Sequence, residues 1–250
     1  MLPHVLFNFR TNNRAAFPVT TGLQMHYDAD AGNTFTRVGA AISQWRDRSG
    51  FSRHAAQATS NQQPSYILNT VGGKAGVVHD GSNDFMLMGD GTLSFLNTSS
   101  MTIVIVCNSP DTPIQKWIVG GQGGVTRTNL QIGYNSATSF KFGFGADDLN
   151  AIIPNVSTNT TEMFLMTYDS LSQEKVLRRN KLEEASGAGT GSISSMTGQS
   201  IARYLSSFSN ISVGEIAIFN RVLSPAEITL VETSLARQSA HQSIGLVVRR

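Results

Sequence analysis

The chain of 250 residues has one cysteine, seven prolines and two tryptophans, and its charged residues make up only 14%, against about 25% in ordinary soluble domains. A single cysteine excludes an intrachain disulfide framework. Cys107 sits in the apolar run Met101-Thr102-Ile103-Val104-Ile105-Val106-Cys107 and is expected as a buried, inert thiol. The shortage of Glu and Lys excludes a long charged helix or coiled coil. Net charge of only +2 with 40% apolar residues excludes a disordered chain. No apolar run approaches the roughly 20 residues of a membrane-spanning helix. The opening MLPHVLFNFR lacks the basic region and long apolar stretch of a secretory signal. The expectation is a component made in a cytoplasm that reaches the outside by assembly.

Ser, Thr, Asn and 23 glycines fill the space left by charge. What charge there is divides unevenly. Arg10 and Arg14 precede any acid, and Arg237, Arg249 and Arg250 follow the last one. These five leave fourteen basic residues against seventeen acids, so the body is acidic and the ends are basic. No stripe of Lys and Arg tracks a phosphate backbone, so nucleic-acid binding is not expected. Residues 1–21 are read as an extended arm, 22–238 as one domain and 239–250 as a basic tail. Arg10, Arg14, Arg249 and Arg250 are the expected docking arms, onto a protein shell or neighbouring copies in a homo-oligomer.

From Gly22 onward, short apolar or alternating runs are broken by Gly, Asn, Asp and Ser. Strands are predicted over 23–28, 65–69, 76–79, 85–88, 101–107, 116–119, 129–134, 139–144, 162–168, 175–179, 200–204 and 211–219. Phe140, Phe142 and Phe144 alternate with Lys141 and Gly143, a period of two. Residues 163–166 are apolar on both faces, as in a strand buried on both sides. Segment 186–198 reads as a long loop. Ser224-Pro225-Ala226-Glu227 is a capping box with proline at the first helical position. Ile228, Val231 and Leu235 then recur at helical spacing, predicting a helix to about residue 238 with one apolar stripe.

Three segments, in order, resemble the concanavalin A-like lectin/glucanase superfamily in its laminin-G-like branch. They are Gly22–Ala29 with Trp45-Arg46-Asp47-Arg48-Ser49-Gly50, Lys74–Phe85 around Asp80-Gly81-Ser82-Asn83, and Gly214–Ile228 around Phe219-Asn220-Arg221. The resemblance covers about residues 22–238. It implies an all-β fold, a two-sheet antiparallel jelly-roll sandwich with one short C-terminal helix. His79 stands where an apolar residue is usual, and Glu215 precedes the closing apolar run. The motifs themselves read as structural. Asp80–Asn83 is a hairpin turn, Trp45 a buried anchor, and Asp47 an acceptor for the turn that follows it.

Members of that superfamily that cleave glycans carry an E-x-D-x-x-E strand, and retaining hydrolysis needs two carboxyls about 5 Å apart. The chain has no such motif. Glu183-Glu184 and Asp147-Asp148 are adjacent pairs whose side chains diverge on a strand. There is no G-x-S-x-G, Ser172–Lys175 lacks its companion motifs, and Gly120–Gly124 lacks the Lys-Ser/Thr of a phosphate loop. His26, Asp28 and Asp30 fall on one face if their strand continues, as a satisfied strand-end network in preference to a metal site. No cofactor is required. Calcium is the one candidate that the resemblance implies, at Asp147, Asp148 and Asn150. Glycan binding needs an aromatic and planar hydrogen-bonding groups at a loop rim, and Trp117, Arg127, Tyr134 and Asp147 are the candidates. The expectation is a non-enzymatic surface or assembly module on a virion, as a phage capsid decoration or tail-fibre component. The alternatives are a free lectin or adhesin, and a glycoside hydrolase or lyase.

Overall fold

Alternation of buried and exposed residues shapes the chain in the computed structural model, which describes residues 16–89, 91–121, 129–153, 158–193, 196 and 198–240. The first strands are β1 (Leu23–Asp28), β2 (Phe35–Val38), β3 (Ala41–Trp45), β4 (Ala55–Ala56), β5 (Ser65–Val71), β6 (Lys74–Asp80) and β7 (Met86–Met88). The middle of the chain gives β8 (Met101–Asn108), β9 (Lys116–Gly120), β10 (Gln131–Ser136), β11 (Ser139–Gly143) and β12 (Asp148–Ile152). The remainder gives β13 (Thr161–Tyr168), β14 (Glu174–Arg179), β15 (Leu182–Ala188), β16 (Ser200–Ile201), β17 (Arg203–Tyr204), β18 (Ser207–Phe208), β19 (Asn210–Phe219) and helix α1 (Pro225–Ala240). Strand structure falls in all twelve predicted segments, but 200–204 breaks at Ala202, where φ is 62°, into β16 and β17 of different sheets. Segment 186–198 is not wholly a loop, because β15 runs to Ala188.

The strands pair antiparallel in two walls. The first wall runs β15–β14–β13–β8–β19. Beyond it, β19 pairs with β6 through its first half and with β1 through its second. The second wall runs β2–β3–β4–β7–β16–β9–β10–β11–β12. The pairing does not divide into the two sheets expected: β5 pairs with both β3 and β6 and joins the walls into one large antiparallel sheet. At the other end β12 comes alongside β15, so the sheet nearly closes into a barrel. The turn at Asp80 also differs from expectation. Asp80 Oδ1 accepts the N–H groups of Ser82, Asn83 and Asp84, but β6 and β7 are not paired, so no hairpin forms.

Period-two alternation divides the apolar residues of β8 between two cores. Ile103, Ile105 and Cys107 enter the main core between the walls. Val104 and Val106 enter a second cluster on the outer side of the first wall, with Phe17, Val19, Leu165, Phe219, Val231 and Leu235. This is why residues 163–166 read as apolar on both faces. Phe17 and Val19, which fall in the predicted arm, are part of this covered face. Helix α1 closes it as its stripe predicts, and Arg178 of β14 holds Glu232 at 2.9 Å. Phe140, Phe142 and Phe144 all enter the main core, and Cys107 is buried there as a free thiol, its pKa raised by desolvation.

Candidate functional site

The second wall has an outer face that is covered only in part: its β9 and β10 end is buried, and Asn150 of β12 is exposed. In β10, Ile132 and Tyr134 point into the main core, so Gln131 and Gly133 point outward. In β11, Phe140 and Phe142 point inward, so Lys141 and Gly143 point outward. Leu149 and Ala151 turn Asp148 and Asn150 outward in the same way. Register then aligns them: Trp117 with Gly133, Gly133 with Lys141, Lys141 with Asn150, and Gly143 with Asp148.

These residues touch. Lys141 Nζ lies 2.6 Å from Asp148 Oδ2 and 5.9 Å from the centre of the Trp117 ring. The Trp117 ring meets that of Tyr204 at 5.0 Å, and Gln131 Nε2 donates to Tyr204 Oη at 2.7 Å. Two glycines make the arrangement fit. A Cβ on Gly143 would fall 2.1 Å from Asp148 Oδ1, and one on Gly120 would fall 2.8 Å from the Tyr204 Cβ. The hairpin of β17 and β18 therefore rests directly on Gly120. The tyrosine hydroxyl has its pKa raised by desolvation and by the Asp148 charge. The result is a continuous patch of one half-buried aromatic ring backed by a second, an amide, an ammonium, a carboxylate and an exposed Asn150. It can stack on one apolar face and donate or accept in one plane.

The predicted site residues divide. Trp117 lies on this patch, though it is largely buried behind Tyr204 and Lys141. Tyr134 does not. Its ring is in the main core and its hydroxyl donates to Glu162, which Arg179 also holds. It offers no face to solvent, because the alternation that turns Gln131 and Gly133 outward turns Ile132 and Tyr134 into the main core. Arg127 lies outside the described residues, as do Arg10, Arg14, Arg249 and Arg250.

The calcium cluster is not assembled. Asp147 turns toward β14 and β15, where Lys175 Nζ lies 3.0 Å from Oδ1 and the Thr190 N–H donates to the same oxygen at 3.1 Å. Asp148 turns toward β11 and Lys141. Adjacent residues at a strand start diverge, and each carboxylate already faces an ammonium group. Asp148 and Asn150 do share the outer face. Tyr204, Gln131 and Lys141 were missed by sequence reasoning, although the alternation Gln131/Ile132/Gly133/Tyr134 carried the signal for Gln131.

A second constellation lies on the opposite side of the molecule. Among the described residues, His26, Asp28 and Glu215 bring one ligand atom each within 4.8 Å of one another. His26 Nε2 lies 2.8 Å from Glu215 Oε1, and Asp28 pairs with Arg48. Asp30 does not continue the face. The strand stops at Asp28, and the Asp30 N–H bends back to Asp28 Oδ1 at 3.0 Å. The neighbouring loop is organised by Asp47, which accepts the N–H groups of His26 and Ser49, each at 2.9 Å, and of Arg53 at 3.1 Å. Trp45 beneath it is fully buried against Tyr27 and Phe35, as an anchor should be.

No protein-family model and no curated protein matches the chain. Solved structures do. A Trypanosoma rangeli sialidase in complex with sialic acid is similar at a TM-score of 0.62 and 15% identity, covering 89% of this chain and 34% of the sialidase. Domain 4 of AbnA, a GH43 extracellular arabinanase from Geobacillus stearothermophilus, in complex with arabinotriose, reaches 0.62 at 12% identity, covering 84% of this chain and 98% of that domain. The binding domain of Paraclostridial Mosquitocidal Protein 1 reaches 0.62 at 13% identity, covering 86% of this chain and 53% of the other. The chain spans about a third of the sialidase and half of the toxin domain, but nearly all of the arabinanase domain. At such identities the likeness is one of fold, that of a β-rich domain.

Proposed function

We propose that this chain is a non-catalytic β-domain, a jelly roll of the concanavalin A-like kind, that recognises carbohydrate on the outer face of β9 to β12. The observation that carries the reading is the patch of Tyr204, Trp117, Gln131, Lys141, Asp148 and Asn150. It combines a ring for stacking on a sugar face with planar hydrogen-bonding groups, the pattern by which small polar ligands are oriented. The domain-for-domain likeness to an arabinanase domain that holds arabinotriose supports it. The non-enzymatic reading is supported by the chemistry of the patch. Its one carboxylate is Asp148, already paired with Lys141, whereas glycoside hydrolysis uses two.

The test is a glycan array followed by titration with arabinotriose and with sialic acid. Binding that falls at least tenfold in Tyr204→Ala and Gln131→Ala, in chains that remain folded, supports the site. An array with no hits, with and without calcium, overturns it. Reducing-sugar release that disappears in Asp148→Asn establishes an enzyme instead.

The setting on a virion surface, with docking through Arg10, Arg14, Arg249 and Arg250, rests on the charge distribution of the two ends alone. None of the similar structures named above lends it support. Deleting residues 1–15 or 241–250 should abolish attachment to a shell or to other copies while leaving glycan binding unchanged.

A further inference from the structure

We propose that His26, Asp28 and Glu215 form a binding site for a first-row transition-metal dication of the zinc and manganese class. The site is independent of the carbohydrate patch. Alternation in β1 places Met25 and Tyr27 in the main core and His26 and Asp28 on the opposite face. Register places Glu215 directly across from Asp28. Glu215 faces that side because of a bulge. Val213 enters the main core, the pairing with β8 slips between Val213 and Glu215, and Ile216 enters the main core in its turn. Without the bulge, Glu215 would point between the walls.

All three groups are buried, at 3%, 0% and 5% exposure. Water does not dilute them, and their charges must be met within the structure. A nitrogen and two carboxylate oxygens suit a transition metal better than calcium or magnesium, which prefer all-oxygen shells. Donors bound at ~2.0–2.1 Å to a tetrahedral ion lie about 3.3 Å apart. The His26–Glu215 contact of 2.8 Å therefore opens slightly, and the overall spread of 4.8 Å closes. A bound ion would replace the His26–Glu215 hydrogen bond, held by His26 Nε2 and by the carboxylates of Asp28 and Glu215.

The surroundings hold the ligands in position. Asp28 accepts from the Asp30 N–H and from Arg48, and the His26 main-chain N–H donates to Asp47 at 2.9 Å. Such outer bonds orient metal ligands. The Phe17 ring closes one side, edge-on to His26 at 4.9 Å. A cavity of about 20 Å³ bordered by Asp30, Lys74, Ala75 and Glu215 adjoins the site, about the room one water-sized species needs. A bound ion would staple β1 to β19 where the covered face begins.

The experiment titrates the full chain, stripped with a chelator, with Co2+ and with Zn2+. The expected result is one equivalent bound, a visible Co2+ d–d band, displacement by Zn2+ and none by millimolar Ca2+. His26→Gln and Glu215→Gln should each weaken binding at least tenfold, while His4→Gln/His241→Gln retains it. Should either core variant fail to fold, Mn2+ added to the wild-type chain should broaden the His26 ring resonances before those of His54 and His79. No stoichiometric binding by the wild-type chain overturns the proposal and leaves a closed ion-pair network. So does binding retained in both His26→Gln and Glu215→Gln, or broadening confined to other histidines.

Discussion

The two walls present opposite solutions to the same problem, an outer face that the main core does not use. The first wall fills its outer face with Val104, Val106, Leu165 and Phe219 and covers them with Phe17, Val19 and helix α1. The second wall fills its outer face with Gln131, Lys141, Asp148 and Asn150 among glycines and covers it only in part, with the β17–β18 hairpin on Gly120. Apolar residues need a cover, and polar ones with half-met hydrogen bonds can be met by a ligand. Stability and recognition are thereby placed on the outer faces of two different walls, and substitutions should separate them.

The largest effect is expected on the covered face. Phe219→Ala removes a fully buried ring that meets Phe17 at 5.8 Å. Truncating a buried phenylalanine costs ~3–5 kcal/mol. Urea unfolding should show that loss, while the folded fraction binds glycan as before. A parallel loss of binding would mean that the two faces are coupled.

Next comes a residue between the walls. His79 is fully buried, and desolvation holds its pKa down to about 4. Its Nδ1 lies 3.2 Å from the Ile211 carbonyl oxygen, and Nε2 has no partner among the described residues. Between pH 6.5 and 4 the unfolded chain takes up a proton that the folded chain refuses. Stability should therefore fall as pH drops through that window, by about 3 kcal/mol in total. His79→Leu, restoring the apolar residue usual at this place, should flatten the profile. An unchanged profile in that variant would assign the acid sensitivity elsewhere.

On the open face the balance reverses. Tyr204→Ala removes a half-exposed ring whose pairing with Trp117 is worth ~0.5–1.5 kcal/mol. Glycan binding should be lost while unfolding shifts by no more than that. Gly120→Ala should give the same phenotype by lifting the hairpin off its seat. A Gly120→Ala chain that binds normally would show that Tyr204 is not positioned by that contact.

The two faces were unequally legible in the sequence. The covered face could be read, because Val104 to Val106, the run 163–166 and the stripe of Val231 and Leu235 carry apolar residues at the right periods. Strands β2, β3 and β15 could not: Thr, Arg, Ser, Gln and Glu interrupt their apolar residues, and their order comes from neighbours. Asp147, Asp148 and Asn150 read as one oxygen cluster, but strand pairing of Asp148 with Gly143 sends the Asp147 and Asp148 side chains apart. Trp117 was named, yet its company was not. Gln131, Lys141 and Asp148 meet through the register of four strands, and Tyr204 reaches them only because a hairpin from far along the chain lies on Gly120. Glu215 was noticed as an acid before an apolar run. That it meets His26 depends on a bulge that local pattern does not announce.

The smallest effect tests whether the cover of the first wall can be loosened without touching its core. Ser224 Nα–H donates to Glu227 Oε2 at 2.9 Å, and the Glu227 N–H returns to Ser224 Oγ at 3.4 Å. Arg221 grips the same carboxylate, and with the Ser224 N–H it draws the Glu227 pKa down to about 2. A depressed carboxylate contributes fully above the usual pKa near 4.5, and its contribution is lost as pH falls toward 2. Ser224→Ala removes one partner of the box and leaves Arg221 in place, so the loss should be about 1 kcal/mol at neutral pH. Hydrogen exchange should show it as faster opening of the first turn of α1, with the amides of β8 and β19 unchanged. If those strands exchange faster as well, the helix is an integral part of the first wall's stability, and the contrast between a covered and an open face becomes one between a cooperative and an independent one.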